Sequence, residues 1–143
     1  MSIVVTKIRV VAIGKMKEKF LREAMQEYEK RLVPFCKLEL IELKDEGFEK
    51  ESKRLEKYLG KGTFILDVDG KQLSSSEFAK FLKKQENLTF IIGGPDGIEK
   101  TIKKQASLIS LSKMTFTHEM SRVFLLEQIY RAFMINSNRK YHR

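Results

Sequence analysis

Residues 88–111 read LTFIIGGPDGIEKTIKKQASLISL, and this stretch decides the fold class. The apolar run at 88–92 predicts a buried strand, which breaks into the glycine-rich turn GGPDG at 93–97. Residues 98–105 predict a short helix and 107–111 a last strand. Strand, helix and strand in succession make a crossover, and a crossover joins parallel strands.

The same alternation extends outward in both directions. Residues 7–13 form a predicted strand ending at Gly14, and Phe20, Leu21, Ala24, Met25, Tyr28 and Leu32 recur at helical spacing until Pro34 stops the helix. KLELIEL (37–43) alternates strictly, as a strand with one wet face does. The charge-rich 44–61 segment predicts a loop and a helix around Leu55 and Leu59. TFILDV (63–68) reads as a buried strand closed by a turn at Asp69-Gly70. Ser74, Ser75 or Ser76 then caps a helix carrying Phe78, Phe81 and Leu82. A final helix is predicted over 118–135. The expected architecture is a single α/β domain over 1–143, a mainly parallel sheet covered by helices on both faces. In such sheets ligands bind beyond the carboxyl ends of the strands. Those ends are Leu66-Asp67, Gly93-Gly94 and Leu111-Ser112, and they are expected to converge on one pocket.

Composition narrows the function. With 42% apolar and 33% charged residues the chain is an ordinary globular protein. No apolar run approaches the ~20 residues of a membrane span, and no signal-peptide pattern is seen. The lone Cys36 excludes an intramolecular disulfide and fits a reducing cytoplasm. The net charge of +9 is concentrated at 100–143, where only Glu119 and Glu127 are acidic. That placement points to a polyanion partner, nucleic acid before membrane, or else to a solvated surface kept soluble by its charge.

GGPDG is not GxGxxG and no Lys-Ser/Thr follows it, which argues against a nucleoside-triphosphate loop; alone, the motif reads first as a plain tight turn. Residues 118–135 are apolar nearly all round, which predicts burial on several sides and a subunit contact. On that helix Glu127 and Arg131 stand four apart, either as a simple ion pair or as a pair that binds something. His118 at the helix start could accept from a backbone amide or line the pocket. Two histidines and one cysteine give no zinc spacing and no Cys/His nucleophile. The terminal RKYHR (139–143) joins phosphate-pairing cations, a stacking ring and an imidazole, the mixture used on single-stranded or loop RNA, although a tail of this kind also reads as simply frayed.

Taken together, KIRVVAIGKMKEKFLREAMQEYEKRL (7–32), FILDVDGKQLSS (64–75), FIIGGPDG (90–97), ISLSKMTFTHEMSRVFLLEQIYRAF (109–133) and the terminal YHR resemble the ribosomal RNA large subunit methyltransferase H family, of the SPOUT class. The resemblance implies an α/β fold with a C-terminal trefoil knot and a cytoplasmic homodimer. It further implies that S-adenosylmethionine serves as methyl donor and that N3 of a pseudouridine in large-subunit ribosomal RNA accepts the methyl. By motif match, cofactor contacts fall on Leu66, Gly93, Leu111, Ser112, Lys113, Met114, Thr115 and Phe116. Arg122, Glu127, Arg131, Tyr141 and His142 fall on positions tied to substrate binding or catalysis. Three places depart from the family pattern: Thr117 where proline is commoner, 136–140 (NSNRK) where a proline usually precedes Tyr-His, and a short 44–61 region. A non-catalytic RNA-binding or ribosome-assembly module would explain the basic end without the glycine turn. A phosphate-binding α/β protein is the third reading.

Overall fold

In chain order the elements are β1 (Thr6–Ile13), α1 (Lys19–Leu32), β2 (Cys36–Leu43), α2 (Phe48–Glu56), β3 (Thr63–Gln72), α3 (Ser75–Lys83), β4 (Asn87–Ile92), α4 (Lys100–Lys103), β5 (Ser107–Ser110) and α5 (His118–Asn136). The computed structural model describes residues 6–143, so the first five positions of the expected 1–143 domain lie outside the described residues. The strands form one sheet in the order β2-β1-β4-β3-β5, with every pairing parallel. This is the α/β sheet read from the sequence.

Side chains alternate across each strand, so β1 feeds two cores. Ile8, Val10 and Ala12 pack with α1, α3 and α5, whereas Val11 and Ile13 point to the opposite face with Leu55 of α2 and Ile102 of α4. The central strands are apolar on both faces for that reason. Phe90 of β4 is fully buried, its ring 6.1 Å from Phe78 and 6.3 Å from Phe64. Cys36 is buried at the start of β2, and burial pushes its thiol up to about 11, consistent with an inert core thiol.

Two local readings shift. Asp69-Gly70 does not end β3. The strand runs on to Gln72, with an irregularity between Leu66 and Lys71 in which both residues pair with Ile109. Gly70 lies so close to β5 that a Cβ there would sit 2.6 Å from the Ile109 nitrogen, so the glycine serves close backbone approach rather than a chain reversal. The helix expected over 98–105 contracts to the single turn of α4, since the chain is still extended at Glu99, its N-cap, and Ile98 packs into the second core ahead of it.

α3 starts at a complete capping box. Ser74 Oγ accepts from the Glu77 amide at 3.1 Å, and Glu77 Oε1 accepts from the Ser74 amide at 2.8 Å. α5 packs between α1 and α3, burying Val123, Leu125, Leu126, Ile129, Ala132 and Met134. No helix among the described residues is long and apolar enough to cross a membrane.

Candidate active site

The carboxyl ends of β4 and β5 and the irregularity of β3 at residues 66–68 open onto one cavity of about 560 Å³, within the range of small-molecule sites. The expected β3 contribution comes from within the strand, whose own end at Gln72 lies outside the cavity. Its wall includes Leu66, Gly93, Leu111, Ser112, Met114, Thr115 and Phe116, seven of the eight positions matched to cofactor contacts. Lys113 is not part of it; its side chain is exposed and borders a shallower groove with Gln72 and Ser74. The starts of α1 and α5 complete the cavity through Glu18, Leu21, His118, Glu119 and Ser121.

The glycine turn is closed by the Gly97 amide donating to the Gly94 carbonyl at 3.0 Å, with Pro95 pre-set for its first corner. Gly93 has no room for a side chain: a Cβ would meet the Gly97 carbonyl carbon and Ile98 Cγ1, each at 2.9 Å. The requirement for glycine at 93 therefore comes from the turn folding against itself beside the cavity. Opposite, Ser112 Oγ accepts from the Met114 amide at 3.1 Å, and Phe116 meets Phe124 edge-on at 4.9 Å. Thr117 is the N-cap of α5, its hydroxyl accepting from the Met120 amide at 3.2 Å. The capping role considered for His118 thus falls one residue earlier, and His118 itself lines the cavity.

In a protein of net charge +9, this cavity gathers the carboxylates of Glu18, Asp67 and Glu119 against the single lysine Lys103. Lys103 Nζ is itself paired to Asp67 Oδ2 at 2.6 Å, and Asp67 Oδ1 accepts from the Asp69 amide at 3.0 Å. Burial pushes the Asp67 carboxyl up, but Lys103 and that amide outweigh it and hold it below the usual carboxylate range. Glu119 behaves alike. It is buried, yet its Oε1 accepts from the amides of Lys17 at 2.8 Å and Glu18 at 3.0 Å, with a net downward shift. This clasp supplies the anion that the N-terminus of α1 otherwise lacks, since Glu18 makes no side-chain cap. A depressed carboxyl stabilises the fold above its unfolded value, near 4.5, and that stabilisation disappears as pH falls through the folded value. Glu119→Gln is therefore expected to lower thermal stability at pH 7 while flattening its fall below pH 4.5, measured as Tm against pH.

A second cluster lies at the far end of α5. Arg131 Nε donates to Glu127 Oε1 at 3.0 Å and Oε2 at 3.2 Å, and Arg131 Nη1 lies 3.0 Å from His142 Nδ1. A guanidinium only donates, so His142 Nδ1 must be the acceptor, which leaves the neutral ring's proton on Nε2. Tyr141 lies under Arg131, whose guanidinium carbon is 5.0 Å from the ring centroid, and burial together with a contact to Tyr28 pushes its hydroxyl up to about 12. Glu127, Arg131, Tyr141 and His142, expected together from the sequence, do meet.

Arg122 does not join them. It is 2% exposed, its Nη2 donating to the carbonyls of Ile13 at 2.7 Å and Gly14 at 2.9 Å and its Nη1 to Glu42 at 3.1 Å. Its guanidinium thus ties α5 to the end of β1. Arg122→Met strands these acceptors and is expected to destabilise the fold by about 3 kcal/mol, read by urea unfolding.

The family model described as "Predicted SPOUT methyltransferase" matches residues 6–142. The chain is 41% identical over 158 residues to the ribosomal RNA large subunit methyltransferase H of Acetivibrio thermocellus, covering 96% of this chain and 99% of that protein. It is 40% identical over 153 residues to the protein of the same name from Caldicellulosiruptor saccharolyticus, covering 95% and 99%. Among solved structures, a probable methylase family protein from Haemophilus influenzae Rd KW20 superposes with a TM-score of 0.59 at 10% identity, over 95% of this chain and 70% of that one. The tRNA (m1G37) methyltransferase of Aquifex aeolicus gives 0.54 at 15% identity, over 88% and 70%. These two likenesses speak to the fold.

Proposed function

The chain belongs to the SPOUT methyltransferase family, among the ribosomal RNA large subunit methyltransferase H proteins, and from there we propose that it transfers a methyl group from S-adenosylmethionine to N3 of a pseudouridine in large-subunit ribosomal RNA. The observation that carries this reading is the carboxylate-rich cavity in an otherwise basic protein. A site for free phosphates would gather unpaired cations, whereas its one lysine is neutralised by Asp67. Carboxylates instead suit a cationic sulfonium, and the apolar wall of Leu66, Ile92, Ile98 and Leu111 suits an adenine ring. The donor residues we assign are Leu66, Gly93 and 111–116, with Lys113 at the rim.

When bound, the donor supplies an already activated methyl, so the protein's task is alignment and removal of the imide proton. Positioning can account for up to ~7–11 kcal/mol of such a barrier. Arg131, backed by Glu127, is placed to stabilise the ring anion, with the N3 proton passing to water. His142 is the alternative base through Nδ1, a role that requires this nitrogen to leave Arg131. In the observed arrangement its Nε2–H is a donor for an acceptor carbonyl. Tyr141 offers a stacking edge, and Arg122 supports the site from within the core.

Arg131 lies ten positions beyond Ser121, about 15 Å along α5 from the part of that helix that lines the cavity. A homodimer in which each copy lends its tail to the other's cavity removes that gap. The 63% exposure of Phe20 and 75% exposure of Met114, both near the cavity mouth in the chain, support such a contact. The trefoil knot, with 93–97 and 111–117 as its facing loops, and a cytoplasmic setting belong to the same reading.

The test is mass spectrometry of ribosomal RNA after incubating the protein and S-adenosylmethionine with ribosomes from a strain lacking this activity. One N3-methylpseudouridine should form. RNA binding without incorporation would favour the non-catalytic module. Binding should also weaken by roughly 0.7–0.9 log units per tenfold rise in salt for each phosphate neutralised.

A further inference from the structure

We propose that Tyr28, on α1, is a positioning residue for the terminal segment, holding Tyr141 so that His142 stays against Arg131; the proposal rests on the methyltransferase reading above. After α5 the chain reverses sharply. Asn138 takes φ 55°, its amide donates to Ile135, and the Arg139 amide donates to Met134 at 2.9 Å, a Schellman closure that turns the tail back along its own helix. Asparagine is one of the few residues other than glycine that adopts this left-handed conformation readily. Among the described residues, the side-chain hydrogen bonds of residues 140–143 are those of Tyr141 to Tyr28 and of His142 to Arg131.

Such a tail frays unless something holds it. What holds it here is a set of rings from three parts of the chain. Tyr141 stands edge-on to Tyr130 at 4.8 Å, and its hydroxyl is 3.4 Å from that of Tyr28, 113 positions away. Tyr28 in turn lies 6.1 Å from Tyr130, and Arg31, fixed by Glu27 at 2.7 Å, covers both rings at 5.2 and 5.5 Å. Edge-to-face rings and a cation over a ring give orientation as well as attraction, so Tyr141 is held in direction and not merely in place. His142 follows directly on Tyr141, and a small displacement of a reacting group costs rate steeply. Among the described residues Tyr28 has no hydrogen bond or cation-π contact with Arg131 or His142; its one hydrogen bond to this cluster is the one to Tyr141, so its effect passes chiefly through that residue.

The experiment uses full-length protein carrying Tyr28→Leu, Tyr28→Phe, Tyr141→Leu and the Tyr28→Leu/Tyr141→Leu pair. Carboxypeptidase release of the last residues, which needs no assumption about function, should be roughly tenfold faster for Tyr28→Leu. Affinity for S-adenosylhomocysteine should stay within about twofold, which also reports an intact fold. The kcat for methyl transfer to ribosomes should fall roughly ten- to a hundredfold with little change in KM, and Tyr28→Phe, which keeps the ring against Tyr130 but loses the hydroxyl contact with Tyr141, should fall in between. The pair should be no worse than Tyr141→Leu alone, because one residue acts through the other. Additive losses, or a freed tail with unchanged kcat, would overturn the proposal. So would an unchanged rate of carboxypeptidase release, whatever the activity. A wild-type protein that transfers no methyl would instead overturn the methyltransferase reading and, with it, the catalytic half of this one, leaving the latch itself to the digestion result.

Discussion

Removal of residues 141–143 is expected to leave the affinity for S-adenosylhomocysteine within about twofold and to cut methyl transfer by about 10²–10⁴-fold, the range that a positioned proton-transfer group contributes. The two halves of this result have separate structural origins. The donor cavity is built from the middle of β3, the ends of β4 and β5 and the starts of α1 and α5, and none of its lining residues comes from the tail. The lost atoms belong instead to the Arg131 cluster, where His142 Nδ1 caps one guanidinium nitrogen and Tyr141 lies beneath the plane. Calorimetry and single-turnover methyl transfer measure the two halves independently. Equal activity in the shortened protein would remove the terminal residues from the reaction.

The second large effect is expected at Gly93. Gly93→Ala already places a methyl 2.9 Å from the Gly97 backbone and from Ile98, so the turn must shift. Overpacking of this kind costs about 1–3 kcal/mol, and falling on a cavity wall it should weaken donor binding by roughly ten- to a hundredfold. Gly93→Arg, with a long charged side chain beside the cavity, should abolish binding. Thermal unfolding separates loss of the site from loss of the fold, since Gly93 stands at the edge of β4 and not in its buried run. Donor binding that survives Gly93→Arg would rule out the cavity as the site.

The sequence made the cavity legible because its walls are local features: apolar runs that are interrupted after Leu66, within β3, and that end just before Gly93 and Leu111. The order of elements and the parallel sheet followed from the same alternation. What it hid depends on partners distant in the chain. Asp69-Gly70 has the chemistry of a turn, and only the approach of β5 turns it into a bulge within β3. Arg122 sits in a helix among residues tied to catalysis, but its acceptors are 108 and 109 positions away, beyond any local spacing rule. The Asp67–Lys103 pair and the Glu119 clasp on α1 were invisible for the same reason. Tyr28 read simply as a member of an apolar stripe, which it is on one side, while its hydroxyl faces the tail.

The most direct measurement is a crystal structure of the protein with S-adenosylhomocysteine. The account predicts the adenosine between residues 93–98 and 111–117, with the sulfur toward the carboxylate-bearing start of α1 and α5. Density for the ligand in any other cavity, or none at saturating concentration, would contradict it.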